Sequence, residues 1–264
     1  MRDPWFPVIL IAIVLMTVWL GIVGPLPDGF SAWLQKWQTL AAALVASAAA
    51  YIAFRNTSRT LNHSEKLEKN RRNRKHAAVR AVLPLALAQV TGCAERSAHA
   101  LNALMLKCVG ESLPAKSAPD DIVEPLPPDT LKTLAELIEY SDTVDVGIIE
   151  ATVARIQIHD SRMRSLFQDN HDLSGSRIVL RTEIEGRIID AASIYAGAAA
   201  AFDYARRRQG LLPGVLSWDA VRAALRNMRL WDDEYPRLYE ALSSRAALSE
   251  GPFEASNSNV SLGH

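Results

Sequence analysis

Trp5 to Val23 reads WFPVILIAIVLMTVWLGIV, nineteen residues without a single charge. No other feature constrains the chain as much. At 1.5 Å per residue a helix of this length spans roughly 28 Å, close to the hydrocarbon thickness of a bilayer. Trp5 and Trp19 stand near its ends, where amphipathic rings favour the interface. The run is too long for the apolar region of a cleaved leader, and the GPLPDG that follows has no small-x-small cleavage pattern.

Gly24-Pro25-Leu26-Pro27-Asp28-Gly29 is a helix-stopping turn. Beyond it, WLQKWQTLAAALVASAAAYIAF (33–54) is apolar and alanine-rich from Leu40, and Trp33, Lys36 and Trp37 extend it toward the headgroup zone. The short turn makes the two segments, at about 5–23 and 34–54, an antiparallel transmembrane hairpin covering residues 1–54. In the second segment Ala42, Ala46, Ala49, Ala50 and Ala53 repeat at steps of three and four. Small side chains at that spacing allow close helix approach in lipid, so this stripe is the expected helix–helix interface of a homo-oligomer.

Charge sets the orientation. Residues 1–76 carry ten Lys/Arg against four Asp/Glu, and residues 77–264 nineteen against twenty-five. Nine of the basic residues fall between Arg55 and Arg80, whereas the hairpin turn has none. Basic residues stay inside, so both termini are expected in the cytoplasm of a bacterial inner membrane. The density of the collar exceeds what orientation needs. Lys69, Arg71, Arg72, Arg74 and Lys75 are therefore expected to engage anionic lipid headgroups, each worth about 1 kcal/mol close to the surface. A basic collar followed by an acidic domain excludes a nucleic-acid-binding protein. Cys93 and Cys108 are too few for a disulfide framework and fit a reducing compartment.

The remainder reads as all-α. Residues 55–76 form a basic membrane-proximal helix, and 77–248 a cytoplasmic helical domain. Ala77–Val90 is apolar nearly all round and too short to span, the pattern of a buried core helix that Pro84 kinks or restarts. Residues 113–128 are a Pro-rich loop, and Asp129 is the expected N-cap of the next helix. Val146, Ile149, Val153, Ile156, Met163 and Phe167 make a seam in which Asp160 takes an apolar position, best placed at the rim. The longest helix of the domain is expected over about 177–208, with Glu183 and Arg187 paired on its surface. Ser217 caps a short helix, a last one runs from about Asp233 to Arg245, and 249–264 are expected to be disordered.

The segments WLQKWQTLAAALVA, DAASIYAGAAAAFDYARR and SWDAVRAALRNMRLWDD resemble uncharacterised two-transmembrane-helix membrane proteins of alphaproteobacteria. The resemblance covers the hairpin and the last third of the chain. It implies no activity, and no functional residue is carried over from it.

Chemistry-bearing patterns are weak. The six histidines show no metal-ligand spacing, and His159-Asp160 and His171-Asp172 are adjacent pairs that point to different helix faces. No nucleophile elbow or Gly-rich phosphate loop is present. Cys93 in its alanine-rich helix reads as a small core residue. Glu183, Glu185 and Asp190 read as a solvated face neutralised by Arg181 and Arg187. No catalytic residue, metal or cofactor is therefore expected. The leading expectation is a non-enzymatic scaffold or sensor acting through helical self-association, and the alternative is a membrane-perturbing effector or channel gated by the cytoplasmic domain.

Overall fold

The computed structural model describes residues 30–117, 124–141, 146–171, 178–249 and 251–253. The expected first span, the turn at 24–29 and most of the C-terminal tail lie outside them. The described residues are all-helical. Strands are absent among them, and the loop after the first helix makes only isolated bridges, Val109 with Ser112 and Ser112 with Leu180.

Helix α1 is Phe30–Met105, 76 residues that run through Pro84 without a break. The chain divides into two compact units, and the boundary falls within this helix, after Glu68. In the first unit Ala42, Ala46, Ala49, Ala50 and Ala53 are all exposed, as are Val45, Ile52 and Phe54. Thr57 and Thr60 turn their hydroxyls back onto the carbonyls four residues earlier, which satisfies them without a partner helix. Between Ala42 and Met105, α1 is also long and apolar enough to cross a membrane, its most apolar 18 residues having a mean hydropathy of 1.5 with 33% of them buried.

The second unit holds the rest of α1 with α2 (Pro128–Tyr140), α3 (Gly147–His171), α4 (Arg181–Ala200), the single turn α5 (Phe202–Ala205), α6 (Trp218–Asn227) and α7 (Pro236–Leu248). Val79, Leu83, Leu87, Val90, Ala94, Ala98 and Leu101 recur at three and four and enter one core cluster with residues of α2, α3, α4, α6 and α7. The reading of Ala77–Val90 as buried all round is corrected. Val82 and Leu85, on the opposite side of the same turns, are 52% and 66% exposed.

Helix α4 is the central helix, with exposure confined to Thr182 and Ala199 near its ends. Ile184, Ile188, Ile189, Ala191, Ala192 and Ala198 are fully buried, and α3, α6 and α7 all pack on it. Its small residues make this possible. A Cβ on Gly197 would lie 2.4 Å from the Thr152 hydroxyl of α3 and 2.7 Å from the Phe253 ring. A helix covered on this many sides carries charges inward. Glu185, Arg187 and Asp190 are buried, which overturns their reading as a solvated face. Asp190 accepts hydrogen bonds from Arg162 at 2.8 Å and Arg245 at 2.9 Å, with Arg155 at 3.8 Å. Glu185 faces Arg181 at 3.3 Å and Arg237 at 3.8 Å.

Local rules explain most boundaries. Ser217 caps α6 by accepting from the Ala220 amide. At the start of α2 the cap falls on Pro127, and Asp129 sits inside the first turn near the positive helix end. Both α5 and α6 end in the paired 6→1 and 5→2 bonds of a Schellman motif. Arg208 bonds to Asp203 and Arg207 to Tyr204 in the first, Leu230 to Leu225 and Arg229 to Arg226 in the second. The left-handed residue is an arginine each time, Arg207 at φ 59° and Arg229 at φ 61°, where glycine is usual. Part of the tail expected to be disordered is held. Trp218 donates to the Ser249 carbonyl and Arg155 to that of Pro252, and Gly251 and Pro252 are buried.

Candidate functional site

Two helix faces and a loop enclose a small cavity in the second unit. From α1 come Val90, Cys93, Ala94 and Ser97, one stripe at steps of three and four. From α3 come Ile156, His159, Asp160 and Met163 at the same steps, which places all of them on one side of their helix. Ile194 of α4 closes one side, and Pro125, Leu126 and Leu131 close another. The volume is about 120 Å³. An apolar cavity of roughly 150 Å³ takes up a benzene molecule, so this is space for a small ligand.

The lining is mainly aliphatic, with Glu124, Gln157 and Asp160 also contributing, and it holds one buried polar pair. Ser97, 3% exposed, and His159, 7% exposed, meet with Oγ and Nε2 2.6 Å apart. The imidazole is held down to a pKa of about 4, chiefly because burial strips the charged form of its hydration. Asp190 opposes that effect, and Arg187 reinforces it. His159 is thus neutral at ordinary pH. A neutral ring has one donor and one acceptor nitrogen, and Ser97 uses only Nε2. Nδ1 is buried with no hydrogen-bond partner among the described residues. An orphaned buried polar atom carries a desolvation cost of about 1–3 kcal/mol.

Residue types suited to covalent catalysis are close by, but they are not arranged for it. Burial pushes the Cys93 thiol up, with Arg96 opposing, so the reactive thiolate is disfavoured. Its Sγ lies 3.8 Å from the Glu124 carbonyl oxygen, to which it donates. The triad logic needs a carboxylate on Nδ1 to orient the ring. The buried carboxylate of α4, Asp190, is instead taken by arginines. Asp160 stays at the rim, as expected, paired with Arg164. Among the described residues no three His, Cys, Asp or Glu side chains come together as metal ligands.

The residues singled out in the sequence lie elsewhere. Lys69, Arg71, Arg72, Arg74 and Lys75 are all exposed on α1. Two of them engage the C-terminal end of α2. Arg72 donates to the Ser141 carbonyl at 3.2 Å, and Lys75 donates to the Tyr140 hydroxyl at 2.8 Å while lying 4.6 Å from the centre of its ring. Unsatisfied carbonyls at a helix C-terminus attract cations. Cys93, read as a small core residue, is half-buried and lines the cavity. Ser97 and His159 were missed, although the signal was present. Ile156, His159 and Met163 continue the α3 repeat, which makes His159, not Asp160, the polar residue on the buried face.

Comparison with known protein families, with curated proteins and with solved structures found no match to this chain.

Proposed function

We propose that this chain is a membrane-anchored helical sensor whose C-terminal unit takes a small, mostly apolar ligand in the His159 cavity. The observation that carries the reading is a cavity of about 120 Å³ lined mainly by aliphatic side chains, with the neutral, buried His159 imidazole in its wall. Such a site selects by shape and by a few polar contacts, the usual division of labour in a small-molecule pocket. An anionic ligand would meet the Glu124 and Asp160 carboxylates in the lining. Membrane anchoring rests on the uncharged Trp5–Val23 run and the alanine-rich segment of α1. The helix that follows that segment also supplies Val90–Ser97 to the cavity. Ligand occupancy therefore acts on the helix that carries the anchor, and it can bias any two-state arrangement of that helix.

Direct binding tests the proposal. Full-length protein in phosphatidylcholine nanodiscs is titrated with indole and with phenol, each an apolar ring bearing one hydrogen-bonding group. Saturable binding that is lost in Ile194→Trp, which fills the cavity, and weakened about tenfold in His159→Leu is the expected outcome. Saturable binding that survives both changes would place the ligand elsewhere, and no saturable binding by either probe would remove the sensor reading.

A further inference from the structure

A second concavity, away from the His159 cavity, has the opposite character. His76, Ala77 and Arg80 of α1 and Arg207, Arg208, Gln209 and Gly210 after α5 line an open crevice of about 380 Å³. Three guanidiniums contribute to it, and one carboxylate, Asp203, approaches them, 3.8 Å from Arg208.

The guanidiniums are placed by local structure rather than by acidic partners. Arg80 donates through Nε to the Tyr204 carbonyl at 2.8 Å and through Nη2 to the Gln209 carbonyl at 2.6 Å. Its guanidinium carbon lies 4.0 Å from the centre of the Tyr204 ring, whose hydroxyl is 2.7 Å from His76 Nε2. These contacts fix the Arg80 fork and leave Nη1 with no hydrogen bond among the described residues. Arg207 occupies the left-handed position of the Schellman motif, which pins its backbone, and it forms no ion pair among the described residues. Arg208 is 70% exposed. Three arginines line one crevice with a single carboxylate beside them, an excess of positive charge that a shared anion would offset.

We infer that this crevice is a binding site for a phosphate-bearing anion. A phosphate group offers several acceptor oxygens and takes guanidinium donors in pairs, which a carboxylate or halide cannot do to the same extent. A soluble phosphate ester and a phospholipid headgroup share that chemistry.

The test titrates inorganic pyrophosphate calorimetrically into the full chain in phosphatidylcholine nanodiscs. Saturable binding is expected. Arg207→Gly should bind about tenfold more weakly, because a charged hydrogen bond is lost. Its melting temperature should not fall, because glycine relieves the positive φ. Arg208→Gln should weaken binding in the same direction. Lys107→Gln with Lys132→Gln removes two exposed charges outside the crevice and should leave the affinity within about twofold. Nanodiscs containing phosphatidic acid, compared with discs matched in charge by oleate, separate the two sources. A selective loss of pyrophosphate binding in phosphatidic acid assigns the crevice to a headgroup, and equal binding in both assigns it to a soluble phosphate. Absent saturable binding, or an equal loss in the Lys107/Lys132 variant, overturns the inference.

Discussion

Ser97 Oγ lies 2.6 Å from His159 Nε2, and the two residues are the only polar pair joining α1 to α3 inside the cavity among the described residues. Each satisfies the other, so removing one strands its partner. Ser97→Ala should destabilise the protein by about 1–3 kcal/mol, the cost of an unsatisfied buried group. Ser97→Ala combined with His159→Leu should cost less than the sum of the two single changes, since nothing polar is left to strand. Urea unfolding of the four proteins measures the coupling, and strict additivity would mean that the two side chains do not interact.

The same burial predicts a pH dependence. His159 titrates at about 4 in the folded chain and at 6.5 in the unfolded one. Between those values the unfolded state binds the extra proton, so stability rises with pH. The contribution is complete above pH 6.5, is lost as pH falls toward 4, and amounts to about 3 kcal/mol across that window. Carboxylates also titrate there. The informative quantity is the stability of the parent minus that of His159→Leu, followed from pH 7 to pH 4. That difference should fall by the stated amount, and a flat difference would show that the imidazole is not held neutral.

Asp190 should matter more than any surface ion pair. It is 4% exposed and is met by Arg162, Arg245 and Arg155. Asp190→Asn leaves those cations without their counter-charge inside the domain. Removing one partner of a fully buried pair costs about 3–5 kcal/mol, and the partial exposure of the arginines discounts this to about 2 kcal/mol. Asp160→Asn, which breaks the exposed pair with Arg164, should cost under about 0.5 kcal/mol. Thermal melts of the two variants side by side give the comparison, and equal shifts would contradict the burial of Asp190.

The helical class and the cap at Ser217 were legible because short-range rules decide them. The charged residues of α4 were not. Glu183, Glu185 and Asp190, with Arg181 and Arg187 beside them, look like a solvated helix face, and only tertiary packing buries the Ala-rich centre. The arginines that hold Asp190 come from Arg155 and Arg162 on α3 and Arg245 on α7, positions that no local spacing connects. His159 was hidden by a slip of one residue. Taking Asp160 as the break in the seam drew attention to the rim and away from the buried neighbour that meets Ser97.

The proposed topology is testable by reporter fusions. The basic residues from Arg55 onward follow the second apolar segment, and the turn at 24–29 has none. Under the rule that basic flanks stay inside, a fusion after residue 28 should be active only in the periplasm, and one after residue 110 only in the cytoplasm. Periplasmic activity of the later fusion would reverse the assignment. A chain with one span in place of two would also fail, because residues 28 and 110 would then report the same side.

Self-association is the last consequence. Ala42, Ala46, Ala49, Ala50 and Ala53 are exposed in the first unit, beside exposed Val45, Ile52 and Phe54. In a bilayer an alanine stripe at this spacing lets a second helix approach closely, and dispersion contacts along it replace the hydrophobic drive that lipid removes. The first apolar segment offers little to fill the stripe, since Ala12 and Gly21 are its only small residues among Ile, Leu, Val and Trp. A second copy of the chain is therefore the expected neighbour. Ala46→Leu with Ala50→Leu puts two branched side chains into that contact while keeping the segment apolar, so insertion should be unchanged. Cross-linking in native membranes should then give a dimer yield well below that of the parent. If the yield is unaltered, the stripe is occupied within the hairpin, and the sensor unit acts without a partner copy at this helix.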